Sequence, residues 1–252
     1  MVVVGAGRIG LALRARAERA GAEVVLVDRD ANWDVVDRPA GTPIVLAVRP
    51  ESLDDVIARV PARRRSDLVF LQNGALRELL RDHGLDEVTR GVLYVMTARR
   101  GDDLVPGDVS VFSGPHAGQV VDWFGRLAVP AEVVQGARFA EIELEKLVWL
   151  AVMGPLCEVH GVPVGPLVQA HRAEVAALAE ELSAVCARAW GVRVDGPKLV
   201  ERLVGYSNAI PTYHASVKEW PWRNGWLFAR ARELGVPTPL HDRLLAETGH
   251  LR

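Results

Sequence analysis

The first thirty residues constrain the fold of this chain more than any other stretch. The run Val2 to Val4 is apolar and β-branched and lacks a polar face, which predicts a strand buried on both sides. A glycine-rich hexapeptide of the pattern G-x-G-x-x-G follows at residue 5, then a helical stretch, Leu11 to Ala20, and a second apolar strand, Ala22 to Val27. This order of strand, glycine turn, helix and strand predicts a dinucleotide-binding βαβ unit.

Each glycine of the turn has a separate physical reason. Gly5 permits the tight turn, Gly7 lets the backbone approach a pyrophosphate, and Gly10 allows the helix to lie close to the sheet. The helix N-terminus offers N–H groups and a partial positive charge to the phosphates. The predicted cofactor-binding residues of the turn are therefore Gly5, Ala6, Gly7, Arg8, Ile9 and Gly10.

Two residues after the second strand bear on which nicotinamide cofactor is bound. Asp28 lies eighteen positions beyond Gly10, where an acidic residue would hold the ribose hydroxyls and favour NAD. Arg29, the next residue, could instead hold a 2′-phosphate and favour NADP. The sequence leaves this choice open.

Alternation of short apolar strands and helices continues to about residue 136 and predicts a largely parallel, doubly wound α/β sheet. The further strands are predicted at Pro43–Val48, Asp67–Leu71, Gly91–Met96, Val109–Phe112 and Ala131–Val134. Arg49 and the tripeptide Gln72-Asn73-Gly74 follow two of these strands, at the sheet edge where ligands of such folds bind. The run Arg63 to Arg65 is predicted to be a solvated loop.

Strand-like alternation disappears after residue 136, which predicts a Rossmann domain at 1–136 and an all-helical domain at 137–252, with a ligand crevice between them. The helices of the second domain are predicted at Glu141–Val159, Pro166–Trp190, Pro197–Val204, Glu219–Leu234 and Pro239–Glu247.

Composition excludes several classes of function. With 49% hydrophobic and 25% charged residues, the chain is typical of a soluble globular protein, and its net charge of −2 gives no reason to expect nucleic acid or a membrane as partner. No apolar run reaches transmembrane length, and a strand from residue 2 leaves no room for a signal peptide. Cys157 and Cys186 lack metal-binding spacing and are predicted to be buried free thiols. These points indicate a cytoplasmic protein without a metal site.

Four local patterns together resemble the ketopantoate reductase family of the ApbA/PanE type. They are the glycine turn with Arg29 after the second strand, the segment Leu71 to Gly74, the helix Lys146 to Leu156, which is similar to K-L-x-x-N-x-x-x-N-P-L, and Ser207 followed by Glu219 and Asn224-Gly225. The resemblance covers nearly the whole chain. It implies a Rossmann domain plus a helical domain, of the 6-phosphogluconate-dehydrogenase-like type, and an NADP-dependent 2-oxo acid reductase.

The resemblance also implies residue roles. Lys146 would be the general acid that protonates or polarises the substrate carbonyl as hydride arrives, and Glu219 would hydrogen-bond the substrate and help to hold Lys146. Ser207 would contact the substrate carboxylate. Asn73 would position the nicotinamide ribose or the substrate, and Arg49 replaces a family lysine near the cofactor.

The chain departs from the family at positions that bind substrate. Leu150 and Gly154 stand where the family has the two helix asparagines, Val164 where it has a third, and Pro211 where it has an aspartate. Each lost hydrogen bond is worth on the order of 1 kcal/mol or more. We therefore expect Leu150 and Gly154 to line a more apolar substrate site, and a bulkier or more apolar carbonyl compound than ketopantoate as substrate.

The sequence thus predicts an NAD(P)H-dependent reductase of a carbonyl compound of the 2-oxo acid type. One alternative is an imine or opine-type reductase in which Glu219, His160 or His171 supplies the proton. Another is a non-catalytic NAD(P)-binding regulatory protein. The apolar, tryptophan-bearing C-terminal domain is compatible with a homodimer.

Overall fold

The computed structural model describes residues 1–31, 33–37 and 39–251, and the chain divides into two compact units, Met1–Phe139 and Ala140–Arg252. The functional domain division at residue 137 stays a prediction. The segment from Arg29 to Thr42 contains Asp, Pro and Gly, which predicts an irregular connection. It includes positions 32 and 38, which lie outside the described residues, and a short 3₁₀ helix, Trp33–Asp37.

The first unit is built on a mixed, mostly parallel sheet, as predicted. Its strand order is β2-β1-β3-β4-β5-β8-β9, and every neighbouring pair is parallel except β5 and β8. The strands are β1 Val2–Val4, β2 Val25–Val27, β3 Ile44–Leu46, β4 Leu68–Phe70, β5 Thr89–Val92, β6 Val95–Met96, β7 Val105–Pro106, β8 Ser110–Ser113 and β9 Ala131–Val133. The helices are α1 Arg8–Arg19, α2 Leu53–Arg59, α3 Arg77–Asp82 and α4 Ala117–Arg126.

One face of this sheet and two helices form the core of the unit. Val3, Val45 and Val69 point from β1, β3 and β4 into a cluster with Leu13 of α1 and Phe124 of α4, all essentially inaccessible to solvent. Strands of three β-branched or apolar residues, buried throughout, are what a sheet covered by helices requires.

The strand predicted at Gly91–Met96 is wrong as one element. The chain leaves the main sheet after Val92, and β6 pairs antiparallel with β7 in a separate two-stranded sheet. Val105 and Pro106 are exposed, so an apolar pattern gave no signal for β7.

The prediction of a solvated loop at Arg63 to Arg65 is wrong for Arg64, which is fully buried. Its guanidinium donates to Asp67 at 2.6 Å and to the carbonyls of Val36 at 2.6 Å and Thr42 at 2.7 Å. Asp67 also accepts from the Gly41 amide at 3.1 Å and lies 2.9 Å from His116 Nε2. This network fixes the connection before β3 to the starts of β4 and α4, a long-range arrangement that local charge cannot reveal.

The buried Arg64–Asp67 pair makes the stability of the folded protein depend on pH. Burial acts to raise the pKa of Asp67, but hydrogen bonds from Arg64, Gly41 and His116 outweigh it and lower the pKa below its ordinary value. The stabilisation from Asp67 is therefore fully present above the pKa of the unfolded chain, about 3.9, and is lost as pH falls through the folded pKa. We expect Asp67→Asn to destabilise the protein by about 3 kcal/mol at pH 7, because Arg64 loses its buried counterion.

Urea denaturation at pH 7 and pH 3 measures both effects. The difference between wild type and Asp67→Asn should be smaller at pH 3. The exposed Asp55 provides the control, since Asp55→Asn should change the free energy of unfolding by less than about 0.5 kcal/mol. A pH-independent difference would contradict the lowered pKa of Asp67.

The second unit is helical, as predicted, with several corrected boundaries. Its helices are α5 Gly136–His160, α6 Val164–Ala170, α7 Arg172–Trp190, α8 Gly196–Ala209, α9 Asn224–Leu234 and α10 Pro239–Glu247. Helix α5 starts five residues before the predicted Glu141, and α8 ends five residues after the predicted Val204. The helix predicted at Pro166–Trp190 is broken at His171, whose backbone is non-helical (φ −121°, ψ 31°). The helix predicted from Glu219 starts at Asn224, because Glu219 adopts a left-handed conformation (φ 49°) before the short 3₁₀ helix Trp220–Trp222.

Two further observations concern this unit. Cys157 and Cys186 are both buried and are not joined in a disulfide, which confirms the prediction of buried thiols. Within the described residues, no single helix is long and apolar enough to cross a membrane, although α5 and α6, which meet at 84°, pass such a test as a pair by length and composition alone.

Candidate functional site

The glycine-rich turn joins β1 to α1 at the carboxyl edge of the parallel strands. Gly5 has a positive φ of 115°, and a Cβ there would lie 2.6 Å from the Ala47 carbonyl oxygen. A Cβ on Gly10 would lie 1.8 Å from the Gly5 carbonyl oxygen. Both glycines are therefore required by the turn itself and by the close approach of α1.

Gly7 differs from its neighbours because it is exposed and unstrained. It precedes α1 with an extended backbone (φ −78°, ψ −168°), and the nearest contact of a Cβ would be Ala47 O at 3.7 Å. Among the described residues, no side chain caps the first turn of α1. Exposed N–H groups at a helix N-terminus beside a glycine suit the binding of a pyrophosphate, so the turn fits a dinucleotide.

Arg49, Gln72 and Asn73 follow β3 and β4 at the same edge of the sheet as the glycine turn. The side-chain amide nitrogen of Gln72 donates to the carbonyls of Leu46 at 2.8 Å and Val48 at 3.0 Å, which ties the ends of β3 and β4 together. Its buried Oε1 has no hydrogen-bond partner among the described residues and could accept one from a ligand. Asn73 is partly exposed and Arg49 is exposed, so both can reach a ligand.

The residues that bear on cofactor choice are both exposed after β2. Asp28 Oδ1 accepts a hydrogen bond from the Asp30 amide at 3.0 Å, which forms a local turn. Arg29 is exposed beside it. The geometry therefore presents both side chains to solvent and leaves the choice between NAD and NADP to experiment.

In the second unit, Lys146 is a buried lysine in the middle of α5. Only 7% of its surface is exposed. Its ammonium nitrogen donates to Tyr206 Oη at 3.2 Å, and it lies 4.3 Å from the ring centroid of Tyr206 and 5.2 Å from that of Trp149. Aromatic faces stabilise a cation in surroundings with little water.

Ser207, predicted to contact a substrate carboxylate, lies inside α8 and is fully buried. Its hydroxyl donates to the Leu203 carbonyl at 2.8 Å and accepts a hydrogen bond from Trp149 Nε1 at 3.0 Å. Through Trp149 it fixes one wall around Lys146. The substrate-contact role of Ser207 stays a prediction, and the geometry favours a positioning role.

Glu219, predicted to help to hold Lys146, interacts with the guanidinium of Arg223 at 2.5 Å. Its side chain is about one-third exposed (32%), so its carboxylate can reach solvent or a ligand. Its left-handed backbone costs energy in a non-glycine residue, which is a feature found at functional sites. Its proposed link to Lys146 stays a prediction.

The two apolar replacements on α5 occupy different environments. Leu150 is partly exposed and can line a ligand site. Gly154 is buried, and a Cβ there would lie 3.1 Å from the backbone of Ser216 and Val217. The small residue thus accommodates main chain where the family has an asparagine, and a ligand contact at Gly154 would require this segment to move.

Asn224, which the sequence analysis quoted without a role, is 1% exposed at the start of α9. Its amide nitrogen donates to the Ala151 carbonyl at 2.9 Å and lies 3.0 Å from His241 Nε2. Burial lowers the pKa of His241 to about 4, so this ring is neutral at pH 7. Asn224 therefore connects α5, α9 and α10.

Sequence reasoning missed Tyr206, Trp149 and Gln72 as members of these sites. Tyr206 and Trp149 reach Lys146 from positions 60 and 3 residues away along the chain. Tyr206 directly precedes Ser207 in the sequence, but nothing in the local sequence indicates that it contacts Lys146. Gln72 lay inside the quoted tripeptide, but only the packing of β3 against β4 shows what its amide does.

Comparison with family models gives one match, which spans the second unit. Residues 138–251 match the family model described as the C-terminal part of ketopantoate reductase PanE/ApbA. No curated protein sequence is significantly similar to this chain.

Solved structures share the fold over almost the full length. The PanE/ApbA family ketopantoate reductase from Ralstonia eutropha JMP134 is 21% identical with a TM-score of 0.73, covering 99% of this chain and 98% of that one. The dimeric ketopantoate reductase from Staphylococcus aureus is 17% identical with a TM-score of 0.73, covering 99% of each chain. D-mandelate dehydrogenase, in a ternary structure with NADH and anilino(oxo)acetate, is 15% identical with a TM-score of 0.76, covering 99% of this chain and 98% of that one.

Proposed function

We propose that this chain, whose residues 138–251 match the model of the C-terminal part of ketopantoate reductase PanE/ApbA, is a divergent member of that family and an NAD(P)H-dependent reductase of a 2-oxo acid. The observation that carries the proposal is the buried Lys146 of α5, whose ammonium donates a hydrogen bond to Tyr206 of α8. Both residues lie within the part of the chain that the family model matches. A buried cation is costly unless it is compensated, and an enzyme that generates negative charge on a substrate oxygen has a use for one.

The cofactor is assigned to the first unit. The glycine turn and α1 would hold the pyrophosphate, Asp28 or Arg29 the adenosine ribose, and Asn73 and Gln72 the nicotinamide end. A bound reduced nicotinamide would supply the hydride. The orphaned Gln72 Oε1 and the exposed Gly7 support this placement, because both suit a polar ligand at the sheet edge.

The proton is assigned to Lys146. As hydride reaches the carbonyl carbon, the electron pair of the C=O bond moves to oxygen, and the Lys146 ammonium gives a proton to that oxygen. The product is a 2-hydroxy acid, and the amine regains its proton from solvent. Tyr206 and Trp149 orient the ammonium, and Glu219 is proposed to hydrogen-bond the substrate.

The substrate is proposed to carry an apolar or aromatic substituent. Leu150 replaces a family asparagine one helical turn after Lys146. The ring centroids of Trp149 and Tyr206 lie 5.2 Å and 4.3 Å from the Lys146 ammonium nitrogen. These groups offer apolar surface and few hydrogen bonds to a hydroxylated substrate such as ketopantoate. The anilino(oxo)acetate in the structure of D-mandelate dehydrogenase carries a phenyl group next to an oxoacetate unit and so resembles an aryl-substituted 2-oxo acid.

The proposal is tested by measuring the rate at which the purified protein oxidises NADPH or NADH in the presence of a series of 2-oxo acids with increasingly large apolar substituents. We expect turnover of phenyl- and branched-alkyl-substituted 2-oxo acids to exceed turnover of ketopantoate by at least about tenfold in kcat/KM, the order expected from one or two lost hydrogen bonds. Cofactor binding without turnover of any 2-oxo acid, ketone or imine would favour the regulatory alternative. Preferred turnover of imines would favour the imine-reductase alternative.

We also propose a homodimer, on the precedent of the dimeric ketopantoate reductase of Staphylococcus aureus. Light scattering of the purified chain should give twice the monomer mass of 27.5 kDa. A monomer at micromolar concentration would contradict it.

A further inference from the structure

Three side chains of the metal-ligand type meet where α5 ends and α7 begins. His160 is the last residue of α5, His171 immediately precedes α7, and Glu174 lies in the first turn of α7. One ring nitrogen of each histidine and one carboxylate oxygen of Glu174 all lie within 4.8 Å of one another. We propose that these residues form a binding site for a divalent transition-metal ion such as Zn²⁺.

The distances are close to those of a bound ion. His160 Nε2 lies 2.7 Å from Glu174 Oε2, and the rings of His160 and His171 stack with centroids 3.7 Å apart. A tetrahedral ion with bonds of about 2.1 Å separates its ligand atoms by about 3.4 Å. The His160–Glu174 pair therefore opens by less than about 1 Å and the other pairs close by at most about 1.4 Å. The two rings are stacked with an interplanar angle of 24°, so one imidazole must turn about its Cβ–Cγ bond before both ring nitrogens can face one ion. All three side chains are partly exposed, which permits this rotation.

The donor set selects the class of ion. Two imidazole nitrogens and one carboxylate oxygen suit Zn²⁺, Co²⁺ or Ni²⁺, whereas Mg²⁺ and Ca²⁺ prefer oxygen ligands only. One carboxylate partly neutralises the ion, and solvent would occupy the remaining coordination position.

A neighbouring arginine supports the carboxylate. Arg243 Nη2 lies 3.3 Å from Glu174 Oε1, the oxygen that does not contact His160. It therefore orients Glu174 while Oε2 stays directed at the histidines, which is the arrangement found around metal-bound carboxylates. Arg243 also contacts Glu247 at 3.0 Å, which limits how far it can move into the site.

The helix break at His171 is what assembles the three residues. The sequence predicts one continuous helix over Pro166–Trp190 and no metal site. The spacing of His160, His171 and Glu174 by eleven and three residues matches no familiar metal-binding motif. Residue 171 leaves the helical conformation without a proline or glycine at the junction. This turn places the His171 ring on the His160 ring, and only the folded chain shows it.

Calorimetric titration of ZnCl₂ into the tag-free, metal-stripped full chain tests the site, and visible absorption after addition of Co²⁺ reports the ligand field. We expect one ion per chain, and a rise in Tm of roughly 5 °C at saturating Zn²⁺, since the ion binds only the folded state. His171→Ala and Glu174→Gln should each weaken binding by more than about tenfold. His214→Ala, at an exposed histidine outside the cluster, provides the matched control and should bind like wild type.

Two results would overturn the proposal. One is the absence of stoichiometric Zn²⁺ binding by wild type. The other is binding that survives both His171→Ala and Glu174→Gln unchanged, which would place the ion elsewhere. Far-UV circular dichroism without metal shows whether each variant is folded. Because His171 lies at the helix break and Glu174 lies within α7, a variant that misfolds at one position is replaced by the variant at the other.

Discussion

Lys146→Ala is expected to lower kcat by roughly 10²- to 10⁴-fold, the range for loss of a general acid. The proton that the substrate oxygen needs would have to come from water, and the buried positive charge that stabilises the developing alkoxide would be gone. The Kd for NADPH should stay near the wild-type value, since the cofactor is assigned to the first unit. Single-turnover kinetics and fluorescence titration of NADPH measure the two quantities separately.

Two further variants show whether charge or packing is responsible. Lys146→Met keeps most of the side-chain volume between Trp149 and Tyr206, so a fall in kcat similar to that of Lys146→Ala would exclude a cavity as the cause. Lys198 is exposed beside Asp195 at the start of α8, and Lys198→Ala should leave kcat unchanged. If Lys146→Ala turns over at the wild-type rate, the assignment of the general acid is wrong.

Gly10→Ala is expected to abolish cofactor binding and to destabilise the first unit. The added methyl group would lie 1.8 Å from the Gly5 carbonyl oxygen, and backbone on both sides cannot move aside as a flexible side chain would. Helix α1 must then shift away from the glycine turn, at a cost of roughly 1–3 kcal/mol. Urea denaturation and NADPH titration should show both losses.

Gly7→Ala separates cofactor contact from folding. Its Cβ meets Ala47 O at an ordinary 3.7 Å and its φ of −78° suits alanine, so stability should fall by no more than about 1 kcal/mol, the cost of alanine at a helix N-cap. A pyrophosphate that approaches the Gly7 backbone would meet the new methyl group, and the Kd for NADPH should rise by at least about tenfold, equivalent to about 1.4 kcal/mol. Wild-type affinity in Gly7→Ala would show that the dinucleotide lies elsewhere.

A glycine in a helix provides the control for both substitutions. Gly118 lies exposed in α4, and no described heavy atom outside its immediate surroundings lies within 4 Å of a Cβ built there. Gly118→Ala should leave NADPH binding unchanged and raise the free energy of unfolding by about 0.5–1 kcal/mol, because alanine is the better helix former.

Elements encoded by local periodicity were predictable from the sequence. The Val2–Val4 strand, the glycine turn and α1 follow from a pattern whose residues are consecutive, because a buried parallel strand must be apolar throughout and a tight turn must contain glycine. The parallel sheet and the helical second unit follow in the same way. The ends of elements were less predictable: His171 breaks a helix and Glu219 starts a 3₁₀ turn without any residue type that requires it.

The sequence by itself determined the fold class and the position of the glycine turn, since both depend on neighbours along the chain, and the resemblance of the Lys146–Leu156 helix to a family motif indicated Lys146. The tertiary structure decided what lies against these residues. It buries Arg64 in a network with Asp67, places Tyr206 against Lys146, gives the Ser207 hydroxyl to Trp149, and stacks His160 on His171. The physical reason is that hydrogen bonds and ring contacts between residues far apart in the chain depend on how the elements pack, and no local pattern encodes that packing.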